Sequence, residues 1–174
     1  MAFLINSYNA FTVKLVIDHY PVASIKKIGG MFTNPWGIEF FSLLEGRIKA
    51  LDPIEHGNLR PKFKDYRIHA AVNCASVSCP PLRHEAYVGD RLDGQLEEQM
   101  RVWLADNTRN DFDGVNVTVK ISKIFEWYKE DFDNWSEGVT SVLAKYAPTA
   151  AKAVLSKKPV IEYLDYDWAL SDSK

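Results

Sequence analysis

The chain has 174 residues, of which 47% are hydrophobic and 25% are charged, and its formal net charge is −2. This length is typical of one domain and allows a core that buries roughly two-thirds of the unfolded surface. Because Lys and Arg form no basic stripe that would neutralise several phosphates, the composition argues against nucleic acid as a partner. The apolar runs are shorter than the roughly 20 residues of a membrane-spanning helix, so we expect no membrane span.

The start of the chain has neither a polar helix cap nor the basic region of a signal peptide. Met1 is followed directly by the apolar residues 2–5. A helix beginning here would leave its first backbone amides without side-chain partners. We therefore interpret the chain as a fragment or as the product of a late start codon, so that any signal peptide would have been lost with the preceding segment. The compartment and the oligomeric state are left open.

The pattern of apolar residues, caps and turn formers predicts a mixture of helices and strands. The first helix is apolar nearly all round, which predicts that it is buried, and Pro21 ends it. Alternation over residues 67–73 predicts a strand with Ile68, Ala70 and Val72 on one face. The predicted helices are residues 3–19, 22–28, 52–59, 90–106, 137–146 and 149–155, with a hairpin at 38–50 and further strands at 115–121 and 160–164.

The predicted helices and strands are interleaved without regular βαβ spacing, and the chain contains no internal repeat or linker. This arrangement favours an α+β fold over a doubly wound sheet. We predict a single domain over residues 1–174, in which the buried N-terminal helix packs with a small, mostly antiparallel sheet.

Five sequence blocks occur in the order typical of the domain-of-unknown-function family 547, which the chain resembles over nearly its whole length. The blocks are Phe3-Leu-Ile-Asn-Ser-Tyr-Asn-Ala10, Ile54-Glu-His-Gly-Asn-Leu-Arg60, Arg67-Ile-His-Ala-Ala-Val-Asn-Cys-Ala-Ser-Val-Ser-Cys-Pro-Pro-Leu-Arg83, Ile124-Phe-Glu-Trp-Tyr-Lys-Glu-Asp-Phe132 and Tyr163-Leu-Asp-Tyr-Asp-Trp168. Members of the family usually carry further sequence before the first block. Because the family has no settled function, the resemblance implies a site more than a reaction.

A second resemblance concerns the segment His69-Ala-Ala-Val, which is similar to the histidine strand of transglutaminase-like and papain-like hydrolases. It implies a distant papain-like relationship. In those enzymes the cysteine opens an earlier buried helix, and Asn6 or Tyr8 would hold that position here. A papain-like ancestry would therefore require that the nucleophile has moved or been lost.

Cys74 is the candidate nucleophile, because it follows a predicted strand at the start of a loop and would be exposed on a rigid backbone. A reactive thiol needs a base or a positive field beside it. His56 is the candidate base, with Glu55 to orient it, and the loop amides of Ala75 and Ser76 are candidate donors to an oxyanion. The alternative is that Cys74 is an ordinary buried cysteine.

Seven further residues are candidates for binding a substrate or orienting the base. Buried amide side chains must be hydrogen-bonded, either to the backbone or to a ligand, and arginine forms bidentate pairs with carboxylates. For the arginines the alternative is a salt bridge to Glu55 or Asp65, and a histidine on a strand is more often structural than reactive. The candidates are Asn6, Asn9, Arg60, His69, Asn73, Ser78 and Arg83.

These residues lead to the hypothesis of a cysteine-dependent hydrolase or acyltransferase that acts on an amide, peptide or small thiol compound, with no cofactor and no metal. One alternative is a non-catalytic module that binds a peptide or small-molecule ligand in the same cleft. Another is a thiol-redox protein in which Cys79 resolves Cys74. A zinc protein, in which Cys74, Cys79 and His84 supply ligands, is the remaining alternative.

Overall fold

Helices and one small sheet make up the structure, a computed structural model that describes residues 1–30 and 32–172. The α-helices are α1 (Ala2–Asp18), α2 (Leu51–Ile54), α3 (Arg60–Phe63), α4 (Ile68–Ala71), α5 (Leu92–Ala105), α6 (Ile124–Trp127), α7 (Lys129–Trp135), α8 (Val139–Tyr146) and α9 (Lys152–Leu155). A π-helical turn over Glu55–Leu59 joins α2 to α3, and 3₁₀ turns cover Ile25–Lys27, Pro35–Gly37 and Thr149–Ala151. The strands are β1 (Asp111–Asp113), β2 (Thr118–Ile121) and β3 (Val160–Tyr163). The α+β prediction is confirmed.

Helix α1 packs one of its faces into the protein. Leu4, Ile5 and Leu15 on that face are at most 8% exposed, and their spacing is that of one side of an amphipathic helix. Ile17 on the opposite side is exposed. The helix predicted over residues 3–19 is therefore confirmed, but it is buried on one face only, and the apolar residues Phe3, Val13 and Ile17 are exposed.

Two elements predicted before α2 are much shorter in the structure. Of the helix predicted over residues 22–28, only one 3₁₀ turn forms. The hairpin predicted over residues 38–50 is reduced to a single bridge between Leu43 and Ile48. Residues 44–46 all adopt left-handed backbone angles, so the turn is tight and little strand pairing follows from it.

The helix predicted from Asp52 begins at Leu51, with Ala50 at the N-cap position. Asp52 does not cap the helix, because its carboxylate accepts a hydrogen bond of 2.6 Å from the side chain of Asn34. The helix then widens into the π turn before α3. Turns of this kind occur frequently at functional sites, and this one carries Glu55 and His56.

The strand predicted over residues 67–73 is wrong, because α4 forms there. All of Ile68–Ala71 is buried, so alternation along this segment does not reflect one solvent face and one core face. The alanines favour a helical turn. Ile68 and Ala71 belong to one hydrophobic cluster and Ala70 to another, so α4 lies where the two halves of the core meet.

The second half of the chain contains the sheet, in which β1 pairs antiparallel with β2 and β2 pairs parallel with β3. The strands predicted at 115–121 and 160–164 are confirmed as β2 and β3. Helix α5 confirms the long predicted helix, although Arg91 rather than Asp90 precedes its first turn. Helices α6 and α7 were not predicted. Among the described residues, no helix combines the length and apolar character needed to cross a membrane.

Candidate functional site

A cleft with a volume of about 260 Å³ lies between α1, α2, the π turn, α4 and α6. The core clusters of the two halves of the chain meet beside it at α4. Three predicted catalytic residues, Cys74, His56 and Glu55, line this cleft. The polar groups that line it also include His69, Asp52 and Cys79. Folding thus brings together chemically active side chains that are spread over almost thirty positions of sequence.

Cys74 begins the loop after α4, and two asparagines hold the backbone on each side of it. The side chain of Asn73 donates to the Pro80 carbonyl at 2.8 Å and accepts from the Ala75 N–H at 2.7 Å. Asn9 on α1 accepts from the Asn73 N–H at 2.8 Å. Because Ala75 has a left-handed backbone (φ 61°), the chain turns sharply directly after the cysteine.

The Cys74 sulfur is surrounded by hydrogen-bonding groups. Its Sγ lies 3.0 Å from the Ser76 Oγ and 3.2 Å from the Tyr166 hydroxyl. Hydrogen bonds from Cys79, from Ser76 and from Tyr166 lower the pKa of Cys74 to about 6, against burial, which raises it. Donors of this kind stabilise the thiolate over the thiol. The stabilisation comes from hydroxyl and thiol groups, and no histidine is among its main sources.

Cys79 lies against Cys74, and both are free thiols. The backbone N–H of Cys74 donates to the Cys79 Sγ at 3.0 Å, and Cys79 is only 3% exposed. Burial, together with the neighbouring Cys74, raises the pKa of Cys79 well above its usual value. Burial therefore favours the neutral thiol of Cys79, whereas hydrogen bonding favours the thiolate of Cys74.

One of the two loop amides predicted to form an oxyanion hole is already occupied. The Ala75 N–H is bonded to the Asn73 side chain at 2.7 Å. The expectation for Ala75 is therefore wrong, because its amide has an acceptor within the loop, whereas that for Ser76 stays a prediction. The residues that line the cleft also carry hydroxyl donors, including that of Tyr8.

The C-terminal segment is paired with the cysteine loop and brings two aromatic residues to the cleft. The Val77 N–H donates to the Ala169 carbonyl at 2.9 Å, and Ser78 exchanges hydrogen bonds of 2.9 and 3.2 Å with Asp167. This pairing positions Tyr166 and Trp168, which both line the cleft. Ser78, a candidate for substrate binding, instead fastens this segment to the loop.

His69 forms a buried network with an aspartate that was not predicted as a site residue. Its Nε2 lies 2.8 Å from the Asp131 Oδ2, and Arg60 binds both carboxylate oxygens at 2.6 and 2.8 Å. Although burial raises the pKa of Asp131, hydrogen bonds from His69 and Arg60 lower it to about 2. Asp131 belongs to the block 124–132 that carries the family resemblance, which was the available signal.

His56 and Glu55 line the same cleft but contact different partners. The Nδ1 of His56 lies 3.2 Å from an Arg60 nitrogen, and its Nε2 lies 3.9 Å from Asp52. Glu55 is 5% exposed and accepts a hydrogen bond of 3.0 Å from the Tyr128 hydroxyl. Glu55 therefore does not orient His56 in this structure.

Two predicted binding residues serve the scaffold. Asn6 pairs with both backbone groups of Tyr87, donating at 2.8 Å and accepting at 2.9 Å. Arg83 binds the carboxylates of Glu85 and Glu98 at 2.7 and 2.6 Å, and neither it nor Asn6 lines the cleft.

Aromatic rings form one side of the cleft. The ring centroids of Trp127 and Tyr166 are 4.8 Å apart, and those of Tyr166 and Trp168 are 4.5 Å apart. The ring centroid of Trp36 lies 5.7 Å from that of Trp168. Trp127 is 45% exposed, whereas Phe125 in the same helix is fully buried. Phe125 thus packs in the core, whereas Trp127 lines the cleft.

The zinc alternative requires Cys74, Cys79 and a histidine such as His84 to converge. Across residues 1–30 and 32–172, no group of three or more His, Cys, Asp or Glu side chains is arranged to hold a metal ion. Cys79 contacts Cys74, but His84 does not line the cleft. The three residues are therefore not brought together as a metal site.

Comparison with known proteins gives one match. Residues 1–104 match the family model described as "Protein of unknown function, DUF547", which covers more than half of the chain. Neither a curated protein nor a solved structure matches the sequence. The matched region includes α1, the π turn, α4 and the cysteine loop, whereas Asp131 and the aromatic residues Trp127, Tyr166 and Trp168 lie beyond it.

Proposed function

Since the chain belongs to the family described as "Protein of unknown function, DUF547", we propose that it is a cysteine-dependent hydrolase or acyltransferase with Cys74 as its nucleophile. The observation that carries the proposal is the Cys74 Sγ held 3.0 Å from the Ser76 Oγ and 3.2 Å from the Tyr166 hydroxyl in an open cleft. A thiolate in an accessible cleft is the species that attacks acyl carbons.

The reaction begins when the Cys74 thiolate attacks the carbonyl carbon of an amide, peptide or thioester. A sulfur–carbon bond forms, and the carbonyl electron pair moves onto oxygen. The bond to the leaving amine or thiol then breaks, and the leaving group takes up a proton. Water, or a second amine or thiol, attacks the resulting thioester and regenerates the thiolate. Once the sulfur has attacked, it carries no negative charge and no longer requires the hydrogen bond from Tyr166. The Tyr166 hydroxyl would then donate to the new oxyanion.

His69 is the residue best suited to move the proton, with Asp131 to orient it. Because the Nε2 of His69 faces the carboxylate at 2.8 Å, its hydrogen is assigned there and Nδ1 is left to accept the proton of the Cys74 thiol. The imidazolium passes this proton to the leaving group, and Nδ1 then takes a proton from the water that attacks the thioester. His56, the base expected from sequence, instead has its Nδ1 at 3.2 Å from Arg60. Because Arg60 donates a hydrogen bond to this Nδ1, the nitrogen is not free to accept a proton in the reaction.

The decisive experiment separates acylation from leaving-group protonation. We would measure thioester formation on Cys74 by intact mass with p-nitrophenyl esters, and cleavage of the matching anilides, in wild type, His69→Gln and His56→Gln. We expect His69→Gln to lower anilide cleavage by about a hundredfold, because the amine leaving group needs a proton, while ester acylation changes little. The same loss in His56→Gln instead would assign the role to His56.

Absence of any acyl group on Cys74, with Cys74→Ser as the blank, would refute the proposal. One interpretation left would then be a non-catalytic module that binds a small ligand or peptide, which is supported by the exposed ring of Trp127. That alternative requires ligand binding to survive in Cys74→Ser.

A thiol-redox function is the second candidate, supported by the 3.0 Å contact between the Cys74 N–H and the Cys79 Sγ. In that reaction a hydroperoxide oxidises the Cys74 thiolate to a sulfenic acid and is itself reduced to an alcohol. The Cys79 thiol then displaces water to form a disulfide. Counting free thiols after peroxide treatment of wild type and Cys79→Ser distinguishes this reaction from acyl transfer.

A further inference from the structure

The charged groups that line the cleft are unbalanced. Glu55, Asp52 and the Cys74 sulfur lie there, whereas no lysine or arginine of the described chain lines it. Arg60 approaches one rim, but its guanidinium is bound by both carboxylate oxygens of Asp131. Apart from two histidines, the cleft therefore presents negative charge to an entering ligand.

Glu55 is the carboxylate best placed to bind such a ligand. It is 5% exposed, and its one hydrogen bond within the described chain comes from the Tyr128 hydroxyl at 3.0 Å. Asp52 differs, since it is bonded to Asn34 at 2.6 Å. Buried carboxylates are normally paired with a cation. Glu55 forms no ion pair with any described residue, so an ammonium group of a ligand would supply the partner that its burial calls for.

The aromatic side of the cleft favours the same kind of ligand. Trp127 and Trp168 are stacked with their centroids 5.7 Å apart, and tryptophan is the side chain whose face attracts cations most strongly. The ammonium of Lys26 already lies 4.4 Å from the Trp168 centroid, although Lys26 does not line the cleft. These rings are therefore able to hold an alkylammonium group.

Tyr8 adds a hydroxyl group to the lining of the cleft. It is 2% exposed and lines the cleft together with Cys74. Burial, with Glu55, Cys74 and Cys79 close by, raises its pKa well above the usual value. Tyr8 is thus a neutral donor from which the carbonyl oxygen of a substrate would accept a hydrogen bond.

We propose that the substrate is an acyl compound with an ammonium group, which Glu55 and the tryptophan side of the cleft bind while Cys74 attacks its carbonyl carbon beside Tyr8. This inference rests on the proposed acyl transfer by Cys74. The volume of about 260 Å³ is slightly below the roughly 300–1,000 Å³ of pockets for drug-sized molecules. It fits one short acyl chain or one amino-acid side chain.

The test uses two isosteric esters that differ only in charge. One is the p-nitrophenyl ester of γ-trimethylammonio-butyrate, and the other has carbon in place of the quaternary nitrogen. In each reaction the Cys74 sulfur–carbon bond forms as p-nitrophenolate leaves. Rates are normalised to the reaction of each ester with N-acetylcysteine, which removes the intrinsic difference in reactivity. We compare wild type, Glu55→Gln and, as the matched control, Glu126→Gln, whose carboxylate is exposed on α6 and pairs with Lys123 at 3.2 Å.

We expect the cationic ester to acylate wild type and Glu126→Gln about tenfold or more faster than its isostere, and Glu55→Gln to lose that preference. Equal rates of Cys74 acylation by both esters in wild type would overturn the ammonium site and leave the nucleophile intact. If neither ester acylates Cys74, the acyl-transfer function fails, and the ammonium-bearing substrate proposed with it falls. If Glu55→Gln does not fold, competitive inhibition of wild-type acylation by tetramethylammonium, but not by tert-butanol, decides the question.

Discussion

The Nε2 of His69 lies 2.8 Å from the Oδ2 of Asp131, and this hydrogen bond joins α4 to α7 over a sequence separation of 62 residues. His69 is 2% exposed and Asp131 is 3% exposed. Arg60 after the π turn binds the same carboxylate. Three segments from different parts of the chain are thus tied together at one buried charge beside the cleft, so the network supports both the fold and the proposed acid–base group.

Asp131→Asn should destabilise the protein by about 3 kcal/mol or more, because it leaves Arg60 and His69 without their buried anionic partner. The pKa of Asp131 falls from 3.8 to about 2 on folding. A lowered carboxyl pKa stabilises the fold above the unfolded value, and this stabilisation is lost as the pH falls from about 4 to about 2. Urea unfolding of wild type, Asp131→Asn and the exposed control Asp90→Asn at neutral pH and near pH 3 measures the effect. A difference between wild type and Asp131→Asn that does not shrink at low pH would contradict this account.

Tyr166→Phe should raise the pKa of Cys74, because it removes a hydroxyl that lies 3.2 Å from the sulfur. The wild-type rate of alkylation by iodoacetamide should rise with pH around the Cys74 pKa of about 6. In the variant the midpoint should move up by roughly one pH unit or more, towards the free-thiol value of about 8.5. Tyr163→Phe, on β3 and without contact to Cys74, is the matched control. An unshifted midpoint in Tyr166→Phe would show that this hydroxyl does not stabilise the thiolate.

Cys79→Ala should raise the pKa of Cys74 further than Cys79→Ser does. The Cys79 thiol is the largest of the contributions that lower the Cys74 pKa, and alanine has no donor, whereas the serine hydroxyl keeps one. The alkylation profile of Cys74 in both variants measures the difference. Identical profiles for the alanine and serine variants would mean that Cys79 affects the pKa of Cys74 through packing rather than through a hydrogen bond.

The predictable part of the site was its list of reactive side chains, and the unpredictable part was their pairing. Cys74, His56 and Glu55 line one cleft, as their shared occurrence in the family blocks suggested. The bond between His69 and Asp131 spans 62 residues, and no local pattern encodes such a contact. The sequence alone therefore assigned Glu55 to His56 by adjacency, whereas the carboxylate contacts Tyr128.

Local patterns were equally limited for the segment that leads to Cys74. Alternation suggested a strand over residues 67–73, but burial on all sides of α4 removes the solvent face that makes alternation informative. The longer helices α1 and α5 were predicted within a few residues, because α5 has a buried face long enough to define a period and α1 is a long apolar segment that a proline follows. The site lies where that signal is weakest, in short turns between the two halves of the core.

Asn9→Ala should destabilise the protein by about 2–4 kcal/mol, because one side chain satisfies two backbone groups. Its Nδ2 donates to the Ala71 carbonyl at 2.9 Å, and its Oδ1 accepts from the Asn73 N–H at 2.8 Å. Alanine would leave both groups unpaired next to Cys74, so the alkylation rate should change as well. Urea unfolding of Asn9→Ala and of the exposed control Asn107→Ala tests this prediction. A loss of stability in Asn9→Ala no larger than that of the control would mean that water replaces both hydrogen bonds. The polar residues on the buried face of α1 would then have to be explained by contact with a ligand instead of by their support of the cysteine loop.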